Sequence, residues 1–188
     1  MNRLHLEYLG SPEWAQRLRT DLLPWIERVA ALGDDVLEIG PGPGLTTDLL
    51  RERTERVTAL EIDDALAARL SERLSGSNVT VVGGDAADMA FQTGRFSAAT
   101  AFSVLHHVSS AERQDAILKE LCRVLRPGGG LFATDARDLD AIRNGHEGDT
   151  FVPLPPDTLA QRLEAAGFDQ IELEVADYEI RFSARKPR

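Results

Sequence analysis

The chain has 188 residues, of which 43% are hydrophobic and 28% are charged, a composition typical of an ordinary globular protein with a full core. Its net charge of −10 argues against nucleic acid or an anionic membrane surface as a partner, and no apolar run approaches the roughly 20 residues that span a bilayer. The single cysteine, Cys122, excludes an internal disulfide, and the first residues lack the apolar core of a signal peptide, so a cytoplasmic location is expected.

The first predicted element is a helix over residues 11–32. Ser11 is suited to cap its first turn, and Pro12 stands at the first helical position, where proline fits. Apolar residues then recur at helical spacing, at Leu18, Leu22, Ile26 and Val29. Pro24 lies inside this pattern, so the helix is expected to kink or split there.

Strands and helices alternate along the rest of the chain. Predicted strands cover residues 35–39, 56–62, 78–85, 96–102 and 131–135. Predicted helices cover residues 45–53, 64–74, 110–124 and 157–166, and "RPGGG" at 126–130 ends the third of them. Two strands close the chain, joined by a turn at Ala176–Asp177 that is too short for a crossover, so they are antiparallel. The pattern predicts an α/β fold with a doubly wound, mostly parallel sheet and an antiparallel strand near one edge.

The stretch "VLEIGPGPG", residues 36–44, places three glycines directly after the first of these strands. In doubly wound sheets ligands bind beyond the carboxyl ends of the strands, and glycines there allow positive φ and a close approach. A phosphate loop is excluded because no Lys–Ser/Thr pair follows. A dinucleotide G-x-G-x-x-G pattern fails because its third glycine position is Leu45. The alternative is a tight strand-to-helix turn without a ligand.

Two acids follow the next strands. Glu61 ends the second strand, where a carboxylate can accept both hydroxyls of a ribose. Asp85 follows the third strand, where it can accept from an adenine amino group, with an Asx-turn as the alternative. Helix capping by Asp63 or Asp64 is a further explanation of this stretch, but capping does not account for Glu61.

In this order and spacing, these stretches resemble the class I S-adenosylmethionine (SAM)-dependent methyltransferases, in particular the small, lidless members of the methyltransferase-domain family. The likeness covers residues 34–135 and is carried by "VLEIGPGPG", Glu61, "GDA" and "LHHV…LCRVLRPGGG". It implies a Rossmann-like, doubly wound seven-stranded sheet of order 3-2-1-4-5-7-6 with strand 7 antiparallel. It also implies one methyltransferase domain over 1–188, with a helical extension at 1–32, a SAM-binding core at 34–135 and a substrate-side part at 136–188.

The same resemblance implies SAM as the cofactor and S-adenosylhomocysteine as its product. The glycine turn is expected to pack against the methionyl part of SAM, with Glu38 helping to hold the amino-acid end. The sulfonium and ammonium of SAM suit acidic surroundings. The expected cofactor-binding residues are Glu38, Gly40, Pro41, Gly42, Gly44, Glu61, Ile62, Asp85, Ala86, Phe102 and Ser103.

The expected methyl acceptor is an oxygen or nitrogen of a small molecule. The chain is acidic and carries neither an Asn-Pro-Pro-Tyr motif nor an evident Lys-Asp-Lys-Glu set. The acceptor is expected between residues 1–15, 103–107 and 136–152, with apolar walls from Phe102, Leu105, Phe151 and Tyr8. His106, His107 and His146 are candidate catalytic bases, ranked below simple positioning of the reactants. Two other functions stay open: a SAM-binding accessory protein without methylation activity, and a nicotinamide-dependent oxidoreductase.

No metal is expected from the sequence. Adjacent residues such as His106 and His107 diverge by about 100° on a helix and point oppositely on a strand, which disfavours a shared ion. No set of cysteine, histidine and aspartate residues has zinc spacing. His5 and Tyr8 precede the main domain, where they either cover the pocket or pack on the sheet.

Overall fold

A computed structural model describes residues 3–188, with side chains from His5 onward. Its centre is a seven-stranded sheet of order β3-β2-β1-β4-β5-β7-β6. The strands are β1 (Asp35–Ile39), β2 (Arg56–Glu61), β3 (Val79–Gly83), β4 (Phe96–Phe102), β5 (Leu125–Ala136), β6 (Asp169–Val175) and β7 (Glu179–Arg185). Neighbouring strands from β1 to β5 are parallel, and β7 runs antiparallel to β5 and β6. The predicted strand order and antiparallel seventh strand are confirmed.

Helices cover both faces of this sheet. They are α1 (Arg3–Leu9), α2 (Pro12–Arg17), α3 (Leu23–Val29), α4 (Leu45–Leu50), α5 (Asp64–Arg73), α6 (Ala111–Val124), α7 (Asp140–Gly145) and α8 (Pro156–Ala165). Side chains alternate along each strand, so Val36 packs with α2 and α3 on one face while Leu37 packs with α6 and α8 on the other. Within residues 3–188 no helix is both long enough and apolar enough to cross a membrane.

The predicted helix over residues 11–32 is interrupted by one widened turn. Ser11 caps α2, its Oγ accepting the Trp14 N–H at 3.1 Å. A single π-helical turn, Leu18–Leu22, then links α2 to α3, with the Leu23 N–H donating to the Leu18 carbonyl. This turn ends just before Pro24, which has no N–H to donate. The predicted disturbance at the proline therefore takes the form of a local widening.

Three elements differ from the sequence prediction. Helices α1 and α7 are absent from it, and α7 lies inside the segment 136–155 that the sequence predicts as loop. They have only 7 and 6 residues, so packing rather than local pattern stabilises them. Strand β5 extends back to Leu125 and includes the "RPGGG", which was expected to end the preceding helix but not to belong to the strand. A Cβ on Gly129 would lie 3.1 Å from the Ser97 carbonyl oxygen, so glycine lets β5 approach β4 there.

Parallel strands β1, β2, β4 and β5 end at the same edge of the sheet. The loops after these strands therefore lie side by side, as expected for a doubly wound sheet. Helix α1 and the segment around α7 supply further side chains at the same edge. Any ligand site built from the sequence motifs must lie here.

Candidate functional site

A cavity of about 580 Å³ opens at the carboxyl ends of β1, β2 and β4. Its size is that of a cofactor pocket. Six of the residues expected to bind the cofactor line it: Gly40, Glu61, Ile62, Asp85, Ala86 and Ser103. Leu6 of α1 and His107 also line it. We refer to it below as the cofactor cavity.

Glu61 is held in the cofactor cavity by the backbone. Its Oε2 accepts the Gly42 N–H at 3.0 Å and its Oε1 accepts the Asp63 N–H at 3.0 Å. Asp63 itself caps α5 through its side chain, so capping is not the reason for the acid at position 61. Each carboxylate oxygen keeps a further lone pair, which leaves Glu61 oriented to accept two more hydrogen bonds from a ligand.

Asp85 also lines the cavity, but other groups of the protein already bind to its carboxylate oxygens. Its Oδ1 accepts the Ala87 N–H at 2.8 Å, which is the Asx-turn foreseen as the alternative. Its Oδ2 forms an ion pair with Arg113. Its side chain is 35% exposed, so it is more solvated than Glu61.

The three glycines of the turn have different reasons for lacking a side chain. All have positive φ, 62° at Gly40, 53° at Gly42 and 86° at Gly44. A Cβ on Gly40 would lie 2.6 Å from Val104, and one on Gly44 would run into Leu70. Around Gly42 the space is open. Only at Gly42 is there room for another molecule to approach.

Gly44 and Gly42 do not line the cofactor cavity itself. Gly44 begins α4 in the left-handed conformation and allows α5 to pack closely, so its role is in helix packing rather than in the cavity wall. Gly42 lines an adjoining groove that shares Leu6 and Leu66 with the cofactor cavity. Gly44 was expected to contact the cofactor, but it does not line the cofactor cavity.

Glu38 lies in a separate narrow cleft. Its Oε2 accepts the Thr47 hydroxyl at 2.6 Å, and Pro41 and Phe102, both expected near the cofactor, line the same cleft. Leu9 and Trp14 cover the opening, which leaves about 10 Å³, room for about one water. Burial raises the pKa of Glu38 to about 8, so this carboxyl is largely protonated at neutral pH.

A second cavity, of about 620 Å³, meets the cofactor cavity at Ser103, which lines both. Ser103 has φ of 56°, a conformation that is rare outside glycine. We call this space the acceptor cavity. Its lining comes from α1, from the ends of β4 and β5, from α7 and from the β6–β7 turn: His5, Tyr8, Arg17, Ser103, His106, Asp135, Ala136, Ile142, Gly145, His146, Ala176, Asp177, Tyr178 and Glu179.

The acceptor cavity departs from the expected one in composition. Tyr8 lines it, but Leu105 is fully buried, Phe102 lies in the Glu38 cleft and Phe151 packs on His146. Polar groups take their place, including the ion pair of Arg17 with Glu179. The β6–β7 turn, which was not expected at this site, also lines the cavity. Residues 1 and 2 of the expected N-terminal wall lie outside the described residues.

All four histidines of the chain converge between the two cavities. One ring nitrogen from each of His5, His106, His107 and His146 lies within 4.8 Å of the others. The expectation that His106 and His107 diverge is wrong, because they lie in a 3₁₀ turn, Leu105–His107, and their ring centroids are 4.1 Å apart. Sequence reasoning also left the position of His5 open, and it is the centre of the group.

Asp135 holds the turn that carries His106. Its Oδ2 accepts the Leu105 N–H at 2.8 Å, and its Oδ1 accepts from the His106 ring. Asp135 was not among the residues expected from the sequence to have a role. An acid at the end of the fifth strand, at the ligand-binding edge of the sheet, was the signal available, the same rule that singled out Glu61.

Two rings of the histidine group, those of His5 and His107, are neutral at pH 7. Burial lowers the pKa of His5 to about 3, and the neighbouring histidines lower it further. Burial also lowers the pKa of His107 to about 3, with His106 as the next cause. Neither ring is therefore a strong proton acceptor near neutral pH.

Known proteins resemble the chain over part or most of its length. A family model described as a methyltransferase domain matches residues 37–133. Ribosomal RNA small subunit methyltransferase A from Deinococcus radiodurans is 52% identical over 59 residues, 31% of this chain and 20% of that protein. Chondramide synthase from Chondromyces crocatus is 32% identical over 148 residues, 74% of this chain and 4% of that one. The chain thus spans a fifth or less of both curated relatives.

Among solved structures, N-methyltransferase NodS from Bradyrhizobium japonicum, in complex with S-adenosylhomocysteine, superposes with a TM-score of 0.73. The sequence identity is 21%, and the superposition covers 93% of this chain and 88% of that one. At this level of identity the likeness concerns the fold.

The variants Gly44→Ala and Gly42→Ala test the different roles of these glycines. Both put a Cβ at positive φ, a cost of about 1–2 kcal/mol, but only at Gly44 does it meet buried Leu70. Overpacking adds about 1–3 kcal/mol, and each kcal/mol lowers Tm by about 2–4 °C in a domain of this size. We expect Gly44→Ala to melt several degrees below Gly42→Ala in calorimetry. Equal melting temperatures would contradict the packing role.

The variant Glu38→Gln tests the dry environment of that carboxyl. In the folded wild-type protein the pKa of Glu38 is about 8, above its value in the unfolded chain. The contribution of Glu38 to folding stability is therefore full below the unfolded pKa and is lost as pH rises through 8. The amide of the variant would keep an acceptor for the Thr47 hydroxyl without the charge. We expect similar Tm values near pH 5 and a Tm higher by several degrees for the variant at pH 9, measured by thermal denaturation. A difference independent of pH would refute the assignment.

Proposed function

This chain belongs to the methyltransferase-domain family and is a SAM-dependent methyltransferase; from that premise we propose that it methylates an oxygen or nitrogen of a small molecule held in the acceptor cavity. The observation that carries the proposal is the meeting of the cofactor and acceptor cavities at Ser103. A methyl group at that junction is accessible from the acceptor side, while the rest of the cofactor stays in its own cavity. We further propose that residues 1–188 act as one methyltransferase domain.

The residues of the cofactor cavity divide the recognition of SAM between them. Glu61 would accept the two ribose hydroxyls, because its carboxylate is already oriented by two backbone N–H groups. Asp85 would accept the adenine amino group with the oxygen capacity that its Asx-turn and Arg113 leave. Glu38 lies outside this cavity, in the cleft that shares Gly40 with it, and from there it would face the amino-acid end, where the ammonium of SAM favours an ionised carboxyl.

The acceptor cavity fits a small polar molecule better than a nucleic acid. Its charged lining includes Asp135, Asp177 and Glu179, against one guanidinium, that of Arg17. RNA needs a positive surface, and the chain carries a net charge of −10. The relative from Deinococcus radiodurans is named a ribosomal RNA methyltransferase, so RNA is the competing outcome in the test below.

Alignment, rather than a protein base, supplies the chemistry in this proposal. The lone pair of the acceptor attacks the methyl carbon, the carbon–sulfur bond breaks, and its electron pair stays on sulfur as S-adenosylhomocysteine forms. The acceptor proton is then released to water. His107 is a poor general base because its pKa is about 3. Holding the acceptor, the methyl carbon and the sulfur in line at Ser103 accounts for much of the rate.

The two acids of the cofactor cavity should differ in their effect on binding. Glu61→Ala removes contacts to two hydroxyls, each charge-assisted bond contributing about 1.5–3 kcal/mol, whereas Asp85→Ala removes one. We expect calorimetry with S-adenosylhomocysteine to show a loss of tenfold or more for Glu61→Ala and a smaller loss for Asp85→Ala. Circular dichroism checks that both variants fold. Unchanged affinity in a folded Glu61→Ala protein would refute the ribose assignment.

The acceptor class can be tested with SAM that carries a deuterated methyl group. The protein is incubated separately with a macromolecule-free metabolite extract and with total RNA, and mass spectrometry locates the label. We expect label in small molecules, and transfer at least about tenfold slower in Tyr8→Ala, a change of about 1.4 kcal/mol. Affinity of Tyr8→Ala for S-adenosylhomocysteine should stay unchanged, because Tyr8 lines only the acceptor cavity.

Label in RNA alone would overturn the small-molecule proposal. Binding of SAM without transfer to either fraction would favour the accessory role. A matched control is Ile62→Ala, which changes the cofactor cavity alone and should therefore weaken binding of S-adenosylhomocysteine.

A further inference from the structure

The histidine group between the cavities combines burial, convergence and fixed ring orientation. We propose that His5, His106, His107 and His146 form a binding site for a divalent transition-metal ion, with Zn²⁺ as the first candidate. Neutral imidazole suits zinc, copper, iron and nickel. This proposal concerns metal binding, so it does not depend on which acceptor the enzyme methylates.

The spacing of the ring nitrogens fits one ion. Four nitrogens about 2.0–2.1 Å from a tetrahedral zinc lie about 3.3–3.4 Å from one another. His5 Nδ1 lies 3.2 Å from His146 Nε2 and 3.1 Å from His107 Nε2. The full set lies within 4.8 Å, so small ring rotations bring every ligand atom to the required distance.

Hydrogen bonds on the outer side of two rings fix which nitrogen faces the group. His146 Nδ1 donates to the Ile142 carbonyl at 2.7 Å, and His107 Nδ1 donates to the Thr150 carbonyl at 3.3 Å. A carbonyl oxygen only accepts, so both Nδ1 atoms carry the proton. The Nε2 lone pairs of both rings therefore point at the centre. Metal-ligating histidines are held by outer hydrogen bonds of this kind.

His106 completes the pattern with a carboxylate partner. Its Nδ1 meets Asp135, which is 1% exposed, and its Nε2 is buried with no hydrogen-bond partner among the described residues. A carboxylate–histidine–metal arrangement is common in zinc sites. Buried polar atoms are normally satisfied, and a metal ion at the centre would satisfy this one.

The charges around the group favour a cation. Metal ions bind imidazole in its neutral form. Asp135 and Asp149 lie on the outer side, the latter with Oδ2 3.4 Å from His107 Nδ1. Two carboxylates beside four imidazoles suit the charge of a divalent ion.

The four ligands come from three segments that are distant in sequence. His5 is on α1, His106 and His107 are in the turn after β4, and His146 directly follows α7. Four imidazoles fill the tetrahedral coordination of zinc, so the ion would not carry an activated water. Its role would be to fasten α1 and the α7 segment over Ser103, where the two cavities meet.

The test uses full-length protein without a histidine tag, stripped of metal by a chelator. After addition of Zn²⁺ and removal of the excess, elemental analysis should find about one zinc per chain. Co²⁺ in its place should give the intense visible bands of a four-coordinate ion. Zn²⁺ should also raise Tm, because an ion that binds the folded chain stabilises it.

Two variants distinguish the site from surface binding. His146→Gln and His5→Gln should each lower zinc affinity about a hundredfold, measured against a competing chelating dye, and should abolish the rise in Tm. Asp135→Asn, a positioning change, should weaken zinc about 10–100-fold. Tyr8→Phe, which alters the same cavity but no ligand atom, serves as the control with unchanged zinc affinity.

Two results would overturn the proposal. One is a folded wild-type protein that retains no zinc at dye-competition concentrations. The other is wild-type zinc affinity in both histidine variants. Binding of S-adenosylhomocysteine, measured on the same samples, separates failure of the metal site from failure of the cofactor assignment.

Discussion

Asp135 places a carboxylate, 1% exposed, at the point where β5 leaves the sheet. It accepts the N–H groups of Leu105, His106 and Ala136 and also meets the His106 ring. A buried carboxylate left without donors is very unfavourable, so the turn after β4 cannot move independently of β5. Both cavities take their common wall from this turn, and Ser103 at their junction is held in its unusual conformation by the same segment.

The glycine turn brings together two glutamates with opposite surroundings. Glu38 is enclosed by Leu9, Trp14 and the sheet, and one hydroxyl is its hydrogen-bond partner in the described structure. Glu61 is also largely buried, yet two backbone N–H groups point at its oxygens. Burial favours the neutral acid at Glu38 and raises its pKa to about 8. The two glutamates therefore differ in how many hydrogen-bond donors the surrounding protein supplies to them.

Much of the fold could be predicted from the sequence, because the strands and helices follow from local signals and the strand order from the family resemblance. The alternation of strand and helix patterns along the chain predicts the parallel sheet. The short turn at Ala176–Asp177 requires the last strand to be antiparallel to the strand before it. The rule that ligands bind at strand ends located Glu61 and Asp85. What failed depends on distant partners: Gly44 is glycine because of Leu70 on another helix, and no pattern connects His5 with His146. Helices α1 and α7 were not predicted for the same reason, because their stability comes from packing against distant residues.

Helix α1 is 7 residues long, yet it contacts every part of the site. Leu6 lines the cofactor cavity, His5 and Tyr8 line the acceptor cavity, and Leu9 covers Glu38. Because α1 is not part of the sheet, its side chains can change without altering the pairing of the strands. Substitutions at Leu6 and Tyr8 can therefore change what the two cavities accept, and a designer who wishes to retarget the enzyme can vary these two positions while keeping His5 and the central sheet unchanged.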